Sequence, residues 1–100
     1  MNMKNKFKDS LNKQLQDPQF ICEYINNAIE ENDLEYLKIA LGDVAKALGM
    51  ADIATKTDLS RQSIYQMLSQ EGNPSIKSLF QILKALGLKV RIEPENRKAG

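Results

Sequence analysis

Ile53-Ala-Thr-Lys-Thr-Asp-Leu-Ser-Arg-Gln-Ser-Ile-Tyr-Gln-Met-Leu68 is the stretch on which the reading of this 100-residue chain turns. Two short helices fit it, one over Met50 to Thr57 and one that Ser60 caps and that runs through Leu68. Asp58-Leu59 makes the turn between them. Ala54 is small enough to sit where two helices nearly touch, and Ile53, Leu59, Ile64 and Met67 can lock the second helix over the first. That is the pattern of a helix-turn-helix, whose second helix projects its first polar side chains outward, where the major groove of duplex DNA can take them. Here those side chains are Ser60, Arg61, Gln62 and Ser63, with Gln66 one turn further on.

These residue types suit base edges. Arginine can donate two hydrogen bonds to guanine O6 and N7, and glutamine can pair with adenine N6 and N7. Ser60, at a helix N-terminus with free N–H groups, can also meet phosphate. Lys56, Asn73, Ser75 and Lys77 fall near the ends of flanking helices, where phosphate contacts would position the domain without reading sequence. Tyr65 fits either groove contact or packing. An inert surface helix would explain Arg61 and Gln62 as well, since both are good helix formers.

Working outward, apolar spacing gives three more helices. Asp17-Pro18 starts the first, aspartate as cap and proline at the first helical position. Phe20, Ile21, Tyr24, Ile25, Ala28 and Ile29 form its stripe until Asn32 breaks it. Asp33 caps the next, with Leu37, Leu41, Val44 and Leu48 inward and Gly49 as its stop. Gly42 in its interior is expected to admit a close neighbour. Glu71-Gly72-Asn73-Pro74 is a breaker. Ser75 then caps a fifth helix, with Ile76, Leu79, Phe80, Leu83 and Leu86 toward the core and Gly87 at its end. From Leu88 to Glu93 the period changes. Leu88, Val90 and Ile92 alternate with charged residues, which predicts a half-buried strand closed by Pro94. A lone strand in an all-α chain lacks a ladder, so pairing with another chain is expected, either across a dimer or onto the sheet of a partner protein. The division reads as a loose basic segment over 1–16, one domain over 17–93 and a loose tail over 94–100.

Composition narrows the function. The chain has no histidine and one cysteine, which excludes histidine-based triads, zinc centres and internal disulfides. Its five glycines are scattered and make no phosphate-cradling loop. No enzyme activity, metal or cofactor is expected. Nothing approaches the roughly 20 apolar residues of a membrane span, and no export signal opens the chain. A cytoplasmic protein is expected. The formal net charge of +1 hides segregation: Lys4, Lys6, Lys8 and Lys13 face only Asp9 over residues 1–16. Residues 17–43 carry seven acidic side chains against Lys38, and residues 44–100 carry nine basic against five acidic. Binding responds to local field rather than to the total.

Ala40-Leu-Gly-Asp-Val-Ala-Lys-Ala-Leu-Gly-Met-Ala-Asp-Ile-Ala54, Leu59-Ser-Arg-Gln-Ser-Ile-Tyr-Gln-Met-Leu-Ser69, Gly72-Asn-Pro74 and Leu83-Lys-Ala-Leu-Gly-Leu88 together resemble the addiction-module antidote family. These are type II antitoxins with a Cro/repressor-like DNA-binding domain, and the resemblance spans about residues 17–92. It implies neutralisation of a RelE/ParE-like toxin encoded beside the antitoxin, and repression of their operon by a dimer on operator DNA. It also implies that Ser60, Arg61, Gln62, Ser63, Tyr65 and Gln66 are the recognition-helix positions. Asp58 stands where the family usually has glycine. The acidic stretch from Asp17 to Asp43 is expected to face a basic toxin. A helical protein-binding adaptor without DNA binding is the competing reading.

Overall fold

The computed structural model describes residues 3–95, with side chains from Phe7 onward. Six helices follow one another: α1 (Met3–Gln14), α2 (Pro18–Glu30), α3 (Leu34–Leu48), α4 (Met50–Thr55), α5 (Arg61–Met67) and α6 (Ile76–Ala85). Each of the four expected caps is made. Asp17 accepts from Gln19 N at 3.1 Å, Asp33 from Glu35 N at 3.0 Å, Ser60 from Ser63 N at 3.0 Å and Ser75 from Ser78 N at 3.0 Å. Each satisfies a donor that a helix start otherwise leaves free. Asn32 takes the left-handed conformation (φ 58°) after α2, a geometry that asparagine tolerates.

The long helix α3 is the scaffold. It packs against α1, α2 and α4, and α4 packs against α5. Leu41, Val44 and Ala45 of α3 are fully buried with Ile21, Ile25 and Ala28 of α2, Ile53 of α4, Ile64 of α5 and Ile82 of α6. The half-buried hydroxyl of Tyr24 donates to Asp43 Oδ2 at 2.7 Å across α2 and α3. Burial first, then that bond and the carboxylate's charge, push the phenol's pKa well above its usual value, so Tyr24 stays a neutral donor.

Four expectations are corrected. Residues 3–14, read as a loose end, form α1; Leu15 beyond it is fully buried, and Gln16 donates to Ala47 O at 2.9 Å, fastening the segment to the end of α3. Gly42 meets nothing within 4 Å of where a Cβ would stand, so it admits no close neighbour. Its helix cost of about 1 kcal/mol relative to alanine has no packing return within the chain.

The third correction is the strand. Residues 88–95 carry no regular structure, and no strand occurs among the described residues. The physical reason is the one that made the strand conspicuous: a ladder needs a second strand, and the described residues offer none. What is fixed is the start of the segment. Gly87 (φ 83°) donates to Lys84 O and Leu88 to Leu83 O, both at 2.9 Å, the paired bonds of a Schellman stop. Of the tail expected over 94–100, residues 96–100 lie outside the described residues.

The face of α6 also differs from expectation. Ile82, Ala85 and Leu86 are buried, whereas Ile76 is 72% and Phe80 52% exposed. Apolar residues cover more than one stripe of this helix, and only one stripe is buried among the described residues.

Candidate nucleic-acid interface

The candidate interface is built on a buried pin. Ile64 is fully buried in the core while Arg61, Gln62, Tyr65 and Gln66 of the same helix are exposed, with Ser63 half-buried. The seven residues of α5 therefore present a polar face whose orientation is set by the core. Arg61 makes neither ion pair nor hydrogen bond among the described residues, which leaves all five of its N–H donors open to a ligand. Ser60 is committed to its cap, and its hydroxyl also meets that of Ser63 at 2.9 Å. Tyr65 leans toward α3 and borders a cleft with Ile39, Gly42 and Lys46.

The turn before α5 is held by side chains. Thr57 Oγ1 donates to Ala54 O and accepts from Leu59 N, both at 3.1 Å, and Asp58 N donates to Gln81 Oε1 of α6 at 3.1 Å. Asp58 is outside the left-handed region, where Asn32 is the one non-glycine among the described residues. The turn thus makes no demand for glycine at position 58, and aspartate there carries no strain.

The remaining candidates do not form one cluster. Asn73 borders the flank of α5 beside Ser63 and Gln66, and Ser75 caps α6 two residues on. Lys77 is exposed in the first turn of α6. Lys56 lies on the other side of the turn, in an exposed pair with Asp52 at 3.2 Å, an interaction of little energetic weight.

One residue of the site escaped the sequence reading. Lys38 of α3 is 2% exposed, and its ammonium donates to Ser69 O (2.9 Å), Gln70 O (3.2 Å) and Gly72 O (2.7 Å) while facing Glu35 Oε2 at 2.9 Å. These carbonyls belong to the loop that leaves α5. A lysine inside an otherwise apolar stretch of α3 was the available signal, since such a charge is buried only with partners.

Residues 5–94 match the family described as "probable addiction module antidote protein". The chain belongs to that family. An antidote family implies a toxin as partner. A relative from Haemophilus influenzae, itself an uncharacterised protein, is 36% identical over 70 residues, covering 70% of this chain and 72% of its own. No solved structure matches the antidote chain. Among its described residues no helix is long and apolar enough to cross a membrane.

On the surface of this antidote protein acidic side chains gather at one turn, whereas the basic ones from α3 to α6 share their surface with exposed Asp52, Asp58 and Glu71. Glu30, Glu31 and Asp33 are exposed around the turn between α2 and α3, beside the exposed side chains of Ile29 and Leu34. Exposed Lys46, Lys56, Arg61 and Lys77 instead belong to the end of α3, the turn, α5 and α6.

Proposed function

We propose that this antidote protein is the DNA-binding antitoxin of a type II toxin–antitoxin module, neutralising a RelE/ParE-like toxin and repressing its own operon from the cytoplasm without catalysis. The observation that carries the reading is the uncommitted polar face of α5, with Arg61 and Gln62 open to solvent on a helix pinned by buried Ile64. Arg61, Gln62 and Gln66 would read base edges in the major groove, with Ser60, Ser63 and Tyr65 at the margin of that contact. Lys56, Asn73, Ser75 and Lys77 would hold phosphates and set register. A mobility-shift titration with duplex from just upstream of the coding sequence, over a range of salt, tests it. Affinity that falls steeply with salt supports the reading; a chain that ignores duplex DNA is an adaptor.

The same reading calls for a dimer, because one short helix gains specificity from two half-sites about one helical turn apart. The apolar surface for it runs from Ile76 and Phe80 of α6 to Val90 and to Ile92, which is 91% exposed. Leu83, Gly87 and Leu88 line the groove between them. Residues 89–95 make no backbone hydrogen bond among the described residues, so a second copy can supply partners about a two-fold axis. Leu88 belongs to the Schellman stop, so the informative truncation ends the chain after it. Such a chain is expected to halve its mass in sedimentation equilibrium; an unchanged dimer would place the interface elsewhere.

For the toxin, the acidic turn with its exposed Ile29 and Leu34 offers apolar anchors inside a negative rim, an arrangement that steers and docks a basic partner. Reversing Glu30 and Glu31 to lysine together is expected to slow association with the adjacent-frame product roughly tenfold at low salt, an effect that should shrink as salt screens it. Stopped-flow kinetics unaffected by the reversal would remove this face from the contact.

A further inference from the structure

An ammonium group taken out of water needs several kcal/mol of compensation. Lys38 finds it in four oxygens, one more than its three protons can serve singly: the carboxylate of Glu35 and the carbonyls of Ser69, Gln70 and Gly72. All three carbonyls lie just past α5. That helix has seven residues, too short to persist without tertiary support. Its carbonyl end is the negative end of its dipole, and the three carbonyls that Lys38 binds follow directly after it. The cation that answers it stands on α3, the helix against which α1, α2 and α4 pack. At its other end α5 is held by the Ser60 cap and the Thr57 turn. Half-buried Leu68 lines a cleft together with Lys38 and Ser69.

We propose that Lys38 is a positioning residue for DNA reading: its ammonium, drawing the carbonyls of Ser69, Gln70 and Gly72 onto α3, fixes the angle of α5 and the loop that presents Asn73 and Ser75. The proposal rests on the DNA-binding reading above and adds a residue that touches no DNA itself. Base contacts need aligned donors, because a hydrogen bond weakens steeply with angle. Phosphate contacts made by flexible side chains tolerate a looser helix. Loss of the clamp therefore acts on sequence preference more than on general affinity.

That distinction supplies the test. Lys38→Met keeps the length of the side chain and removes its charge; Lys13→Met removes an equal charge from exposed α1. Each is titrated with duplex from just upstream of the coding sequence and with an unrelated duplex of equal length, well below the melting temperature. Lys38→Met is expected to weaken upstream-duplex binding about tenfold or more and unrelated-duplex binding less than about threefold. Lys13→Met should leave the ratio of the two unchanged. A partly unfolded variant would lower both affinities by the same fraction and leave their ratio intact, so a ratio that holds in Lys38→Met overturns the proposal.

Amide exchange reads the clamp without DNA. Leu68, Ser69 and Gly72 amides, bonded to Ile64 O, Gln66 O and Ser69 O, should exchange about tenfold faster in Lys38→Met while those of α2 do not. Equal acceleration everywhere, or none at the loop, overturns the clamp. If the wild-type protein shows no preference for the upstream duplex, the DNA-reading conclusion fails and takes the positioning role with it. The exchange rates still decide whether Lys38 holds the loop.

Discussion

Gly72→Ala is expected to destabilise the protein by about 3 kcal/mol, the upper end of what overpacking a close contact costs. Residue 72 has an ordinary φ, so the backbone itself makes no demand for glycine. The obstacle is space. A Cβ there would lie 2.6 Å from the carbonyl carbon and oxygen of Met67, and closer still to Gln66 O. Those atoms are main chain of α5 and cannot swing aside as a side-chain tip would. Either the helix or the loop must move, and the Gly72 O bond to Lys38 moves with it. In a domain of this size the change corresponds to a fall in melting temperature of roughly 12–24 °C. Thermal denaturation followed by circular dichroism checks it; a variant melting within a few degrees of wild type would show that loop and helix can separate freely.

Arg61→Ala is expected to weaken binding to the upstream duplex by about 1–3 kcal/mol, or roughly 5- to 150-fold, the worth of one bidentate guanine contact. Arg61 is exposed in the first turn of α5 and engages no other group among the described residues. Its removal should leave folding almost untouched, since surface substitutions away from special contacts usually stay within about 0.5 kcal/mol. The loss should be large on the upstream duplex and small on unrelated sequence. Equal loss on both would demote Arg61 from base reader to phosphate contact, and no loss would move the reading face away from the start of α5. Fluorescence anisotropy at fixed salt separates these outcomes.

Local chemistry made much of the fold legible. Asp17, Asp33, Ser60 and Ser75 each cap the helix they announced, and Gly49 and Gly87 each take a positive φ at the stop they marked. These signals are short-range: a side chain meets an amide two or three residues on. Failures came where the deciding partner is remote or missing. Helix α1 has a lysine-rich sequence and no recognised cap, although Phe7, Leu11 and Leu15 recur every four residues. Its anchor, buried Leu15 with the Gln16–Ala47 bond, is made 31 residues away in sequence. Ile76 and Phe80 read as core because apolar character says that a surface is to be covered, not by which molecule. Leu88, Val90 and Ile92 alternate as a strand would, yet hydrogen bonding within one chain cannot make them one. Of the candidate site, the exposed face of α5 followed from helical spacing about Ile64. Lys38 did not, since its acceptors are the backbone of residues that any sequence could supply.

That last property has a bearing on how the family can vary. Peptide oxygens are common to all residue types, so Ser69, Gln70 and Glu71 can be exchanged for most others without disturbing the ammonium's hold. Drift should accordingly run freely through those positions while Lys38 and Gly72 stay fixed as a pair 34 residues apart. Libraries that randomise the loop should return diverse sequences around an invariant glycine.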